Sequence, residues 1–143
     1  MKIEIINKSQ FQLPKYKTSG SAGLDLQANI SNKVVLKPLE RTLVETGLYI
    51  SIPKGYEGQI RARSGLALRH GITLANGIGT IDSDYRGELK VILVNLSKEN
   101  YIINKGDRIA QIVFIKYENV DLVEVKELDE TKRDEGGFGH SGY

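Results

Sequence analysis

The feature that most constrains this chain is a succession of short apolar or alternating runs, with glycine, asparagine and proline punctuating the stretches between them: KIEII, LDLQA, VVLK, LVETGLYISI, GQIRAR, ELKVILVNL, YIIN, RIAQIVFI and DLVEV. Successive side chains of a strand point to opposite faces. A strand with one wet face therefore alternates, and one covered on both faces reads as a continuous apolar run. Leu48 to Ile52 alternates, whereas Val91 to Val94 and Ile112 to Ile115 are continuous and predict strands buried on both faces. Helical periodicity is nearly absent, and one brief helix is expected around Ser64 to Arg69. So many short strands with turn signals between them predict an all-β fold, a distorted jelly-roll barrel or sandwich. The pattern stops near Asp129, where ETKRDEGGFGHSGY offers few apolar anchors. The expected division is a core over 1–128 and a mobile, glycine-rich carboxyl-terminal arm over 129–143.

Composition narrows the function classes. A length of 143 residues supports one sizeable core but not two. No apolar stretch is long enough to span a bilayer, and MKIEIINKSQ lacks the apolar segment of a secretory signal, so the protein is expected to stay in the cytoplasm and off the membrane. Zero cysteines remove disulfides, thiolate catalysis and cysteine-zinc sites together, and two distant histidines do not make a zinc cage. Any metal must then be a hard, oxygen-bound cation. A net charge of +2 is too small to predict a nucleic-acid surface, which leaves a small anion as the expected partner.

Three segments carry candidate chemistry. In Asn76 to Glu88, NGIGTIDSDYRGE, glycines permit a tight turn and the carboxylates Asp82 and Asp84 follow at i and i+2, on one face if the segment is extended. The calcium-loop and dinucleotide fingerprints both fail there, because Arg86, Leu93 and Asp82 stand where other residues are required. Taken alone, the segment reads as an ordinary hairpin with solvated acids. In Arg61-Ala62-Arg63-Ser64-Gly65-Leu66-Ala67, alternate arginines and a Ser-Gly helix start could cradle an anion, although a serine N-cap beside solvated arginines is the simpler reading of that segment in isolation. In Arg133 to Gly142, glycine backbones could wrap a polyphosphate while Phe138, a lone aromatic with no core to join, offers a stacking face. Gly139-His140-Ser141-Gly142 is not a nucleophile elbow.

Taken in order, AGLDL, RSGLA, NGIGTIDSDYRGEL, GDRIAQIVF and RDEGGFGHSG resemble the motifs of the trimeric dUTPase family, from Ala22 to Gly142. The resemblance implies a jelly-roll subunit, a homotrimer with shared active sites, magnesium, and hydrolysis of dUTP to dUMP and pyrophosphate by water attack on the α-phosphate. It implies that Asp82 is the general base, that Gln111 serves the phosphate and water region, and that Asp25 holds magnesium through a water. Arg63, Ser64 and Gly65 are implied to contact the phosphates, Arg133 and Ser141 the γ-phosphate, and Gly139 the substrate. Asn76, Gly79 and Ile81 are implied to read uracil, Tyr85 to pack under deoxyribose, and Phe138 to stack on the base as the arm closes over the site. The sequence departs from the family pattern at Asp134, where glycine is common, and at His140, where serine or threonine is often seen.

Two rivals follow. A dCTP deaminase, or a bifunctional deaminase-dUTPase, resembles this fold but would carry a second serine and an arginine where Gly65 and Leu66 stand. A non-catalytic nucleotide-binding module on the same fold would lack the carboxylate at Asp82, which is intact here.

Overall fold

Where the sequence alternates, a computed structural model forms strands; it describes residues 1–137. In chain order these are β1 (Glu4–Asn7), β2 (Leu24–Gln27), β3 (Val34–Leu36), β4 (Arg41–Ser51), β5 (Tyr56–Arg61), the helix α1 (Ser64–His70), β6 (Ile72–Leu74), β7 (Gly79–Ile81), β8 (Glu88–Asn95), β9 (Tyr101–Ile103) and β10 (Arg108–Lys116). One antiparallel sheet has the order β1-β4-β8-β6, a second β2-β10-β5-β7, and β3 pairs with β9 in a small ribbon. Leu26, Ile60 and Ile112 of one sheet and Val44, Leu89, Val91 and Leu93 of the other join a single buried core. This is the expected all-β jelly-roll class with one short helix.

Several local expectations need correction. Val91 to Val94 is not covered on both faces: Val91 and Leu93 point into the core, but Ile92 is 38% exposed beside its register partner Leu43 at 57%. A two-layer sandwich gives each sheet one outer face, and within a single chain nothing packs over this one. The long run from Leu43 to Ile52 is not an uninterrupted strand, because the β4–β8 register shifts between Glu45 and Tyr49. Gly47, at φ 71°, sits in that bulge and donates its N–H to the Glu88 carboxylate at 2.8 Å. DLVEV forms no strand. β10 ends at Lys116, and Leu122 and Val123 are 93% and 79% exposed. Alternation alone makes no strand without an edge to pair with; beyond β10 the Tyr117 N–H still reaches the Gly55 carbonyl at 3.1 Å.

The segment expected to be a hairpin is something else. β6 pairs with β8 in one sheet and β7 with β5 in the other, so Ala75 to Ile78 carries the chain from layer to layer. Gly77, at φ 69°, makes the corner, and its N–H bonds the Leu74 carbonyl at 3.2 Å.

Candidate active site

Two groups of the sequence-predicted residues assemble on the second sheet and at its edge. The first lies along one row of that sheet. Gln111 on β10 is the register partner of Asp25 on β2 and of Arg61 on β5. One oxygen of the Asp25 carboxylate forms an ion pair with Arg63 Nε at 3.0 Å, and the other accepts a hydrogen bond from Arg108 Nη1 at 3.1 Å. Arg63 also donates to the Arg108 carbonyl at 3.0 Å, which locks the two basic side chains around a single acid. Gln111 donates its amide to the Ala62 carbonyl at 3.1 Å. Its position depends on Gly23: a Cβ there would lie 3.1 Å from Gln111 Cδ and closer still to its Oε1.

Ser64 begins α1 immediately beyond this cluster. The N-cap is Arg63, with extended backbone (φ −94°, ψ 123°) and no side-chain capping bond, so the Ser64 hydroxyl is not used as the cap. That removes the simpler reading of this serine. Arg63 and Arg108, together with Lys17, line an open cleft of about 490 Å³ with Gln27, Leu66, Tyr101, Gly106 and Asp107. Burial, reinforced by the Asp107 carboxylate, raises the Tyr101 phenol above its ordinary range, so it stays neutral.

The second group lines a cleft of about 350 Å³ in which Asn76, Gly79, Ile81, Asp82 and Tyr85 meet Leu43, Ile60, Glu88, Lys90 and Ile92. β7 is the edge of its sheet, so one side of its backbone is free to offer donors and acceptors to a ligand. The turn after β7 is pinned from within. The Tyr85 N–H donates to the Asp82 carbonyl at 3.2 Å, and the Arg86 guanidinium donates to the carbonyls of Ser83 at 2.7 Å and Tyr85 at 2.8 Å. The Tyr85 hydroxyl donates to the Glu88 carbonyl at 3.1 Å. Lys90 is held by Glu45 at 2.9 Å and Glu88 at 3.6 Å; its hydrogen bond to Glu45 raises it above the ordinary lysine range, keeping a positive charge in this cleft.

The two groups do not meet within one chain. Ile81, next to Asp82, pairs with Gly58, which pairs with Phe114, three residues along β10 from Gln111. At ordinary strand spacing this separates Ile81 from Gln111 by roughly 14 Å, two strands across and three residues along. In the third predicted segment, Arg133 donates to the Gly136 carbonyl at 2.9 Å and Asp134 adopts φ 43°. A left-handed conformation is what glycine supplies most readily and aspartate tolerates better than most residues, which accounts for aspartate at a position where glycine is common. Phe138, Gly139, His140 and Ser141 lie outside the described residues.

Compared with known proteins, the chain matches the dUTPase family model over residues 9–142. The chain belongs to the dUTPase family. It is 64% identical over 143 residues to the deoxyuridine 5'-triphosphate nucleotidohydrolase of Finegoldia magna, covering 100% of each chain. It is 57% identical over 142 residues to the enzyme of the same name from Fusobacterium nucleatum, covering 99% of this chain and 97% of that one. Among solved structures it is similar to the dUTPase of Staphylococcus bacteriophage 80alpha with dUPNHPP, with a TM-score of 0.85, 27% identity and 99% of each chain covered. It is also similar to a variant dUTPase from S. aureus phage phi11 whose structure details the coordination of a structural Mg(II) ion, with a TM-score of 0.81, 25% identity, and 91% of this chain and 100% of that one covered.

Within this dUTPase chain, no group of three or more His, Cys, Asp or Glu side chains able to hold a metal ion occurs among the described residues, and no described helix is long and apolar enough to cross a membrane. A single carboxylate supplies too few ligands to hold a divalent ion by itself, but Asp25 retains lone pairs beyond its two guanidinium partners and can accept from a metal-bound water. The donor set therefore suits a cation carried mainly by another ligand's oxygens. Sequence reasoning missed Arg108, Arg86 and Gly23 as supporting residues. Arg108 and Gly23 stand inside the quoted GDRIAQIVF and AGLDL motifs, but their partners are distant in sequence: 83 residues separate Arg108 from Asp25.

Proposed function

We infer that this chain performs the reaction of its family, hydrolysis of dUTP to dUMP and pyrophosphate, with Asp82 as the general base. The observation that carries this reading is the cleft in which an exposed carboxylate, a free strand edge and a tyrosine ring stand together. Asp82 orients a water and takes its proton as the water oxygen bonds to the α-phosphorus; the bond from that phosphorus to the bridging oxygen breaks, and the electron pair leaves with pyrophosphate. Asn76 and the backbone of Gly79 and Ile81 read the uracil edge, where cytosine would present a donor in place of an acceptor. Tyr85 lies under deoxyribose and leaves no room for a 2'-hydroxyl. Arg63, Ser64, Gly65 and Gln111 hold the phosphates, and Asp25 would hold magnesium through a water. When bound, that ion neutralises the triphosphate and stabilises the charge passing to pyrophosphate. Arg133 and Ser141 grip the γ-phosphate, Gly139 contacts the substrate, and Phe138 covers the base as the arm of 129–143 closes on the core.

The separation of roughly 14 Å between the edge beside Asp82 and Gln111 supports a site shared between subunits of a homotrimer, one contributing the base-reading cleft and another the phosphate cluster. Phosphorus NMR with magnesium and dUTP, run beside dCTP, dTTP and UTP, tests the reaction: selective formation of dUMP and pyrophosphate supports it, and ammonia released from dCTP would replace it with deamination. Mixing subunits tests the sharing. Asp82→Asn and Gln111→Ala chains, each strongly impaired alone, regain activity on co-assembly if their residues come from different subunits, and stay impaired if each chain builds its own site.

A further inference from the structure

Gly87 lies two residues beyond Tyr85, and its backbone has no need of glycine: unlike Gly77, its φ is outside the left-handed region. The space around it does have that need. A Cβ at position 87 would stand 2.9 Å from Tyr85 Cε2 and would overlap the ring's Cζ and hydroxyl, with no backbone atom among those nearest neighbours. The ring is folded back over its own turn, which the Tyr85 backbone N–H closes on the Asp82 carbonyl, and is held at its far end by the hydroxyl's bond to the Glu88 carbonyl. Held so, the ring can lie where it does only because position 87 has no side chain.

We propose that Gly87 is a positioning residue for sugar selectivity, setting through the Tyr85 ring how closely the cleft fits the 2' position of the nucleotide. This rests on the reading of Tyr85 as the floor under deoxyribose. An alanine at 87 displaces the ring as a rigid plate, since tyrosine has no flexible end to move instead, and its hydroxyl loses the Glu88 carbonyl. A loosened floor admits a hydroxyl that the native floor excludes, so discrimination between dUTP and UTP falls while uracil reading by Asn76 and the β7 edge persists.

The test measures kcat/KM for dUTP, UTP and dCTP with the wild type, Gly87→Ala, Tyr85→Ala and the double variant, together with thermal unfolding. Gly87→Ala is expected to lower the dUTP-over-UTP ratio by about tenfold or more and leave the dUTP-over-dCTP ratio within about threefold. In the Tyr85→Ala background the same substitution is expected to add nothing, the sign that the two residues act as one unit. An equal loss in that background, or an unchanged ratio in Gly87→Ala where Tyr85→Ala lowers it, overturns the inference and leaves the role of Tyr85 intact. An unchanged ratio in Tyr85→Ala overturns that role, and the inference with it. If Gly87→Ala fails to fold, a folded double variant identifies the ring as what demands glycine, and an unfolded one assigns the demand to the backbone and refutes the proposal.

Discussion

Asp25 and Gln111 stand opposite each other in the β2–β10 ladder, the acid gripped by two guanidiniums and the amide tied to the Ala62 carbonyl at 3.1 Å. Asp25 and Gln111, at the proposed phosphate end of the site, are therefore held on adjoining strands and oriented before any ligand arrives. Such preorganisation favours charge stabilisation, because little reorganisation remains when charge develops.

Replacing Asp82 with asparagine keeps the shape of the turn and removes the proposed base. Turnover is expected to fall on the order of 10²- to 10⁴-fold, while the affinity for dUMP measured by calorimetry stays within about threefold. Near-wild-type turnover would remove Asp82 from the mechanism.

Gly23→Ala introduces a methyl group where the Gln111 amide lies. The amide must swing away, and kcat is expected to drop about 100-fold, as misplacement of about 1 Å near the reacting atoms can cause. A shorter side chain relieves the overlap without restoring the amide, so Gly23→Ala added to Gln111→Ala should cost no further activity. Any additional loss in that pair would point to the backbone.

Arg108→Ala takes one of two guanidiniums from Asp25 and one of three cations from the adjoining cleft. The KM for dUTP is expected to rise about tenfold, and inhibition by dUMP to change little, because the missing charge faces phosphates that the monophosphate lacks. Equal weakening of both ligands would place Arg108 outside the phosphate end.

Deleting Arg133 to Tyr143 removes no buried core residue of the described structure. The truncated chain is expected to melt within a few degrees of the full-length protein and to lose most of its activity. A collapse in melting temperature would make this segment structural.

The sheets were legible because their strands alternate: Leu48, Ile50 and Ile52 are buried and Tyr49 and Ser51 are not, as the pattern requires. β6 and β7 were missed not for their length, since β3 and β9 are as short, but because the glycines beside them, Gly71, Gly77 and Gly79, read as a hairpin when they mark a change of layer. DLVEV misled for the opposite reason, a good pattern with no partner on its own chain. Of the site, the side chains named by ordered motifs fell into two coherent groups, whereas Arg108 acts across the sheet and Gly23 acts through the volume it leaves empty. Neither kind of relation leaves a local trace in a sequence.

The crossing from β6 to β7 ties the inferred base-reading segment to both layers at once, through β8 on one side and β5 on the other. A nucleotide held by Asn76, Gly79 and Ile81 would then behave as a clasp on the sandwich, since neither layer can peel away without releasing it. Ligand present at about 100 times its dissociation constant would add about 2.7 kcal/mol to the stability of the fold, so a cell's supply of nucleotide would also set how much of the protein stays folded.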